Sequence, residues 1–171
     1  VGGAIRKAID DFVVEEMLVD GSKACVNGAI PIKVLSSSSR RQRFLLCVLV
    51  KRNWDTFIAV KNVAKQLGID QRRMQIAGIK DAKAVTAQHL TIEDGLNEDA
   101  SKVNVKDIQL YPIGYVREAL SLFYLLGNYF TINIKSIALE QDTVKTRIAQ
   151  THENLEALGG VPNFFGHQRF G

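Results

Sequence analysis

A chain of 171 residues, 46% of them hydrophobic, with only 3 Pro and 13 Gly, can bury one sizeable core and is neither fibrous nor low-complexity. Its net charge of +4 leans mildly toward polyanionic partners. No apolar run approaches the roughly 20 residues that span a bilayer, and residues 1–7 lack the charged head and apolar stretch of a signal peptide, so a cytoplasmic protein with no membrane partner is expected.

In chain order, residues 11–18 read as a strand with Phe12, Val14 and Glu16 on one face and Val13, Glu15 and Met17 on the other. The alternation sends the two adjacent acids to opposite faces. The run Ser36-Ser37-Ser38-Ser39 before Arg40-Arg41 reads as a polar loop, the most mobile stretch of the chain. An apolar strand follows over 44–50. Asp55 or Thr56 can cap the next helix, whose buried side is expected to carry Phe57, Val60, Val63, Ala64 and Leu67, and Gly68 suits its left-handed closing position. Residues 74–77 form a short apolar approach to Gly78-Ile79-Lys80-Asp81; a short helix over 82–88 and a strand over 89–92 are expected after it. Strands are predicted at 108–116 and 129–137, and Gly127-Asn128-Tyr129-Phe130 reads as a turn entering the latter. A final amphipathic helix spans 143–158, with Val144, Ile148, His152, Leu155 and Leu158 on its core stripe and Gly159 closing it. Strands and helices mix without regular alternation, which predicts an α+β fold: a mixed or antiparallel sheet flanked by helices.

Charge placement is more informative than net charge. Residues 40–54 hold five cations (Arg40, Arg41, Arg43, Lys51 and Arg52) and no acid, while Arg72, Arg73, Lys80 and Lys83 surround the single acid Asp81. Such runs are solvated faces or phosphate-binding surfaces. The cysteines, Cys25 and Cys47, have no CxxC spacing and are expected to be reduced. His89, His152 and His167 are scattered without nearby cysteines, so no metal site is predicted.

Asp81 has two readings from its surroundings. It caps a following helix, or a glycine-permitted turn presents its carboxylate, flanked by cations, to a ligand. Asn163-Phe164-Phe165-Gly166 followed by Gln168-Arg169-Phe170-Gly171 suits stacking on a base and hydrogen bonding to it, as it also suits an aromatic turn.

Five ordered segments together resemble the TruD family of pseudouridine synthases. Asp11-Phe12-Val13-Val14-Glu15-Glu16 resembles the family's DFxVxE opening, and Asn53-Trp54-Asp55-Thr56 the start of its first helix. Residues 78–88 resemble the GxKDxxAVTxQ signature, Gly127-Asn128-Tyr129-Phe130 the GNxF segment, and residues 163–171 the NxFGxQRFG motif. Trp54 and the compact linkers are most similar to the archaeal branch. The family often has a proline shortly before the DF pair, where Ile9 stands here. The resemblance implies that residues 1–171 are the N-terminal portion of the catalytic domain, with no counterpart to the inserted domain or to the returning catalytic portion, so that the fragment alone is not assumed active.

The resemblance also implies a chemistry: isomerisation of uridine 13 in tRNA to pseudouridine, without cofactor or metal, with Asp81 as nucleophile. A single carboxylate fits, because the uracil is rejoined rather than released, whereas a glycosidase needs a pair. A nucleotide closing over the carboxylate desolvates it, and a neighbouring cation offsets that penalty. Arg6, which matches a basic position of the opening motif, is favoured over Lys80 for that role. Phe12 and Phe130 are implied as a stacking platform for the flipped base, Asn128 as its hydrogen-bonding partner, and Asn163, Phe165, Gln168 and Arg169 as RNA-contacting or structural residues. The alternatives are a non-catalytic RNA-binding module and a protein-interaction domain for an acidic partner.

Overall fold

The computed structural model describes residues 1–28, 35 and 37–162. Ile5–Asn133 form one compact unit, and Val1–Ala4 with the described residues from Ile134 onward form another.

The larger unit is built on a mixed six-stranded sheet: β1 (Phe12–Leu18), β2 (Phe44–Arg52), β3 (Met74–Ile76), β4 (Val85–Glu93), β5 (Ile108–Val116) and β6 (Leu125–Ile132). Its order is β5-β2-β4-β1-β6, with β3 pairing onto β4; β1 and β4 run parallel and the other pairs antiparallel. The expected α+β class is therefore observed. β2 lies between two strands and is covered on both faces, which explains its continuous apolar run in place of alternation. Leu45, Cys47 and Leu49 pack against Ala59, Val60, Val63 and Ala64 of helix α1 (Thr56–Leu67). Val48 and Val50 cluster with Ala24 and Ala87. Each fully buried leucine or valine among these contributes about 1.5–3 kcal/mol. Cys25 and Cys47 are both free thiols, and burial pushes the Cys47 thiol well above its usual range.

Helix α1 starts where Asp55 accepts the Phe57 and Ile58 N–H groups and closes on Gly68 at φ 67°. Phe57, expected on its buried side, is 52% exposed; Thr56 and Ala59 are buried instead. Two further expectations are corrected. The helix predicted over 82–88 does not form: Val85–Glu93 is one continuous strand, bonded to β1, β2 and β3, and this pairing overrides the helix-favouring run Ala82-Lys83-Ala84. The last strand begins at Leu125, so Gly127 and Asn128 lie within β6 rather than in a turn before it. Of the serine run, Ser38 exchanges backbone hydrogen bonds with Tyr115 in both directions, and Ser36 lies outside the described residues. A short helix, α2 (Asn97–Ala100), precedes β5.

In the smaller unit, Ala4 and Lys135 exchange backbone hydrogen bonds of 2.8 and 2.9 Å. A Cβ on Gly3, at φ +109°, would stand 2.6 Å from the Ile134 side chain, so only glycine fits. Helix α3 (Gln141–Ala157) is where the periodicity placed it, with Gly159 beyond it at φ +78°. Its expected core stripe is not buried: Ile148 is 55% and Leu158 79% exposed, and His152 faces solvent beside Glu156. Among the described residues no helix is long and apolar enough to cross a membrane, and no group of three His, Cys, Asp or Glu could hold a metal ion.

Candidate active site

Asp81 stands on the loop between β3 and β4, and no helix follows it, which removes the helix-cap reading. The loop is held from beneath. The Gln88 side-chain amide donates to the Gly78 carbonyl (3.0 Å), and the Thr56 hydroxyl both accepts from the Lys80 N–H and donates to the Lys80 carbonyl (3.1 Å each). The Lys51 ammonium donates to the carbonyls of Asp81 (2.7 Å), Trp54 (2.8 Å) and Lys80 (3.4 Å). The Asn53 N–H donates to the Ala84 carbonyl, closing the far end.

Lys80 turns inward and is not the partner of Asp81. Its ammonium lies 2.6 Å from Glu16 Oε2, with side-chain exposures of 2% and 0%. Glu16 Oε1 also accepts the His89 backbone N–H (2.9 Å) and faces His89 Nδ1 at 3.2 Å. Burial alone would raise the Glu16 carboxyl, but the bonds from His89 and the charge of Lys80 outweigh it and hold the group below its usual range. Glycine at 78 leaves room rather than making a turn: an added Cβ would sit 3.3 Å from Lys80 Nζ and 3.2 Å from the Leu125 side chain, close enough that both would have to shift by a few tenths of an ångström. Glu15, on the opposite face of β1, accepts from Lys23 and from the Val26 N–H, as the alternation predicts.

The Asp81 carboxylate projects upward and meets Arg6 at 2.8 Å, each side chain nearly two-fifths exposed. The Arg6 guanidinium lies 3.8 Å from the centre of the Phe12 ring, and Phe12 meets Phe130 edge-to-face at 5.9 Å between centroids. Phe12 is buried with Val14 and Ala84, whereas Phe130 is 49% exposed. Asn128 is exposed on the same strand face as Phe130, two residues away. The structure thus brings together Asp81, Arg6, Phe12 and Phe130, and sets Asn128 beside them. Asn163, Phe165, Gln168 and Arg169 lie outside the described residues.

Much of the expected basic surface is internally engaged. Lys51 is wholly buried, Arg43 pairs with Glu93, Arg52 with Asp10, and Arg73 with Asp94 and the Glu93 carbonyl. Arg40, Arg41, Arg72 and Lys83 are exposed. Nothing in the local sequence pattern marks Thr56 or Glu16 as supports of the loop. A lysine at the end of a wholly apolar strand was the available signal for Lys51.

A family model described as "tRNA pseudouridine synthase D (TruD)" matches residues 1–171. The chain belongs to the TruD family. It is 34% identical over its whole length to a "Probable tRNA pseudouridine synthase D" of Methanosarcina acetivorans, covering 35% of that protein. Against the protein of the same description from Archaeoglobus fulgidus it is 35% identical and covers 36%. A crystal structure described as a TruD from Methanosarcina mazei superposes with a TM-score of 0.83 at 32% identity, over 99% of this chain and 35% of that one. The chain therefore spans about a third of the length of the TruD relatives it matches. The loop that carries Asp81 is the GxKDxxAVTxQ segment of the TruD resemblance, and its Gly, Lys, Asp and Gln each have a distinct place in the packing just described.

Proposed function

We propose that this chain is the N-terminal portion of the catalytic domain of a tRNA pseudouridine synthase that acts on uridine 13, with Asp81 as nucleophile and no cofactor. One observation carries the reading: a half-exposed carboxylate, paired with Arg6, rises from a loop whose backbone is pinned by buried side chains, beside an exposed aromatic ring. A residue that merely caps a helix or decorates a surface has no need of that support.

The reaction is an isomerisation. The N1–C1′ bond of uridine breaks, a C5–C1′ bond forms, and the hydrogen on C5 is replaced by one on N1. Nothing is consumed, so a single carboxylate that holds one fragment while the other turns is sufficient, and water has to be excluded while it does so. The target base leaves its stack at a cost of a few kcal/mol, and stacking on an aromatic ring returns about 1–3 kcal/mol. Phe130 is the exposed ring for that role, Phe12 supports both Phe130 and Arg6, and Asn128 supplies a hydrogen bond to base or ribose. Arg6 offsets the cost of desolvating the carboxylate as the nucleotide displaces water. Exposed Arg40, Arg41 and Arg72 meet tRNA phosphates, and the segment with Asn163, Phe165, Gln168 and Arg169 adds RNA or structural contacts.

The test is pseudouridine formation in a tRNA transcript by the full-length gene product and its Asp81→Asn variant. Product from the wild type and none from a folded, tRNA-binding variant is expected. Equal product from both would remove Asp81 as nucleophile. Binding without product from either would leave an RNA-binding module.

A further inference from the structure

We propose that Lys51 is a positioning residue for Asp81: its buried ammonium fixes the backbone from which the carboxylate projects. The inference rests on the reading of Asp81 as nucleophile. Lys51 is completely buried at the end of β2, where Thr86 of β4 and Ile108 of β5 flank it in register and neither carries a charge. The charged groups that face it are Asp55 at the start of α1 and Lys80 and Asp81 on the loop. Among the described residues no carboxylate oxygen pairs with it. Its three N–H bonds go instead to three carbonyl oxygens, two of which belong to the loop. An apolar residue of similar length would fill the same space without the cost of burying a charge. What the ammonium adds is direction: three donors on one atom, matched to three acceptors, set the course of the chain at Lys80 and Asp81.

Burial lowers the ammonium to about 8, although Asp55 and Asp81 oppose the shift; Lys80 adds to it. On losing its proton the group keeps two N–H donors for three carbonyls, so the grip on the loop loosens as pH rises through about 8. A carboxylate displaced by about 1 Å loses on the order of 10²-fold in rate.

The experiment compares wild type with Lys51→Met in the full-length protein. The expected result is a kcat lower by about 10²-fold, unchanged tRNA affinity, and loss of the alkaline limb that the wild-type kcat shows above about pH 8. A purely structural role would lower stability and the yield of folded enzyme but leave kcat per folded molecule and the alkaline limb as in the wild type, and that outcome overturns the proposal. Hydrogen exchange supplies an arm that needs no turnover. Lys51→Met loses protection in the 77–84 loop while β2 and β4 keep theirs; unchanged loop protection overturns the proposal whether or not Asp81 is the nucleophile. If the variant does not fold, the wild type decides alone. Loop protection, corrected for intrinsic rate, falls as pH passes about 8, or it stays flat and Lys51 is not the anchor.

Discussion

Arg6 has a left-handed backbone, φ 57°, which costs a non-glycine residue about 1–2 kcal/mol. Its contacts are a half-exposed ion pair, worth about 0–1 kcal/mol, and a cation–π contact with Phe12 worth about 0.5–1 kcal/mol. Strain and contacts nearly cancel, so the arrangement does little for stability. The strain stays with any non-glycine residue, so Arg6→Gln loses only the contacts and is expected to cost no more than about 0.5–2 kcal/mol in urea unfolding, while lowering pseudouridine formation roughly 10- to 100-fold, the value of a charged hydrogen bond of about 1.5–3 kcal/mol. Glu16 is the opposite case. Glu16→Gln leaves the Lys80 ammonium buried without its counter-ion and is expected to cost about 3–5 kcal/mol of unfolding free energy at neutral pH. Because the folded Glu16 carboxyl lies below its unfolded value, its contribution is present above the unfolded pKa and lost as pH falls through the folded one. Unfolding curves of wild type and Glu16→Gln should therefore converge on acidification. The sequence motifs contained Glu16, Lys80 and Gln88, but neighbours along a chain do not reveal which of two adjacent side chains turns inward. That required β4 to be seen as a strand beside β1.

At the scale of elements, the patterns that were legible were those set locally. The cap at Asp55, the close at Gly68 and the full extent of β5 follow from capping chemistry and from apolar spacing. β4 departs from its local pattern because Ala-Lys-Ala before it favours a helix, and only pairing to three other strands makes it extended. β6 was misplaced because glycine and asparagine read as a turn, while the ladder with β1 runs through both. Thr56 joins helix to loop, and an isosteric change tests that joint. Thr56→Val leaves the Lys80 N–H without its acceptor and the Lys80 carbonyl with Lys51 as its only donor among the bonds described; a loss of about 1–3 kcal/mol in denaturant unfolding is expected, with a fall in activity at unchanged tRNA affinity.

At the scale of the whole molecule, one run of uncovered apolar surface among the described residues lies on β6. Among the described residues this strand pairs with β1 alone, and Leu126, Phe130 and Ile132 are 60%, 49% and 43% exposed. An edge strand with apolar faces templates association. Residues 1–171 expressed alone should accordingly self-associate in light scattering, and Leu126→Lys should reduce that association without unfolding the sheet. The charged surface makes a separate prediction. If exposed Arg40 and Arg41 meet phosphates as proposed, neutralising either in the full-length protein should lower the slope of log affinity against log salt by about one, whereas Arg43 and Arg52, paired with Glu93 and Asp10, should change it less.

The loop around Asp81 has one more consequence, for the order of assembly. Its supports come from residues 16, 51, 56 and 88, on four different elements, and the ion pair above it joins positions 75 residues apart. No stretch of chain near Asp81 can set its geometry in advance. The supports of the carboxylate require β1, β2, β4 and α1 to have docked, so the site is expected to form late in folding. A partly assembled molecule, even one rich in secondary structure, is expected to lack the full set of supports on which the site depends.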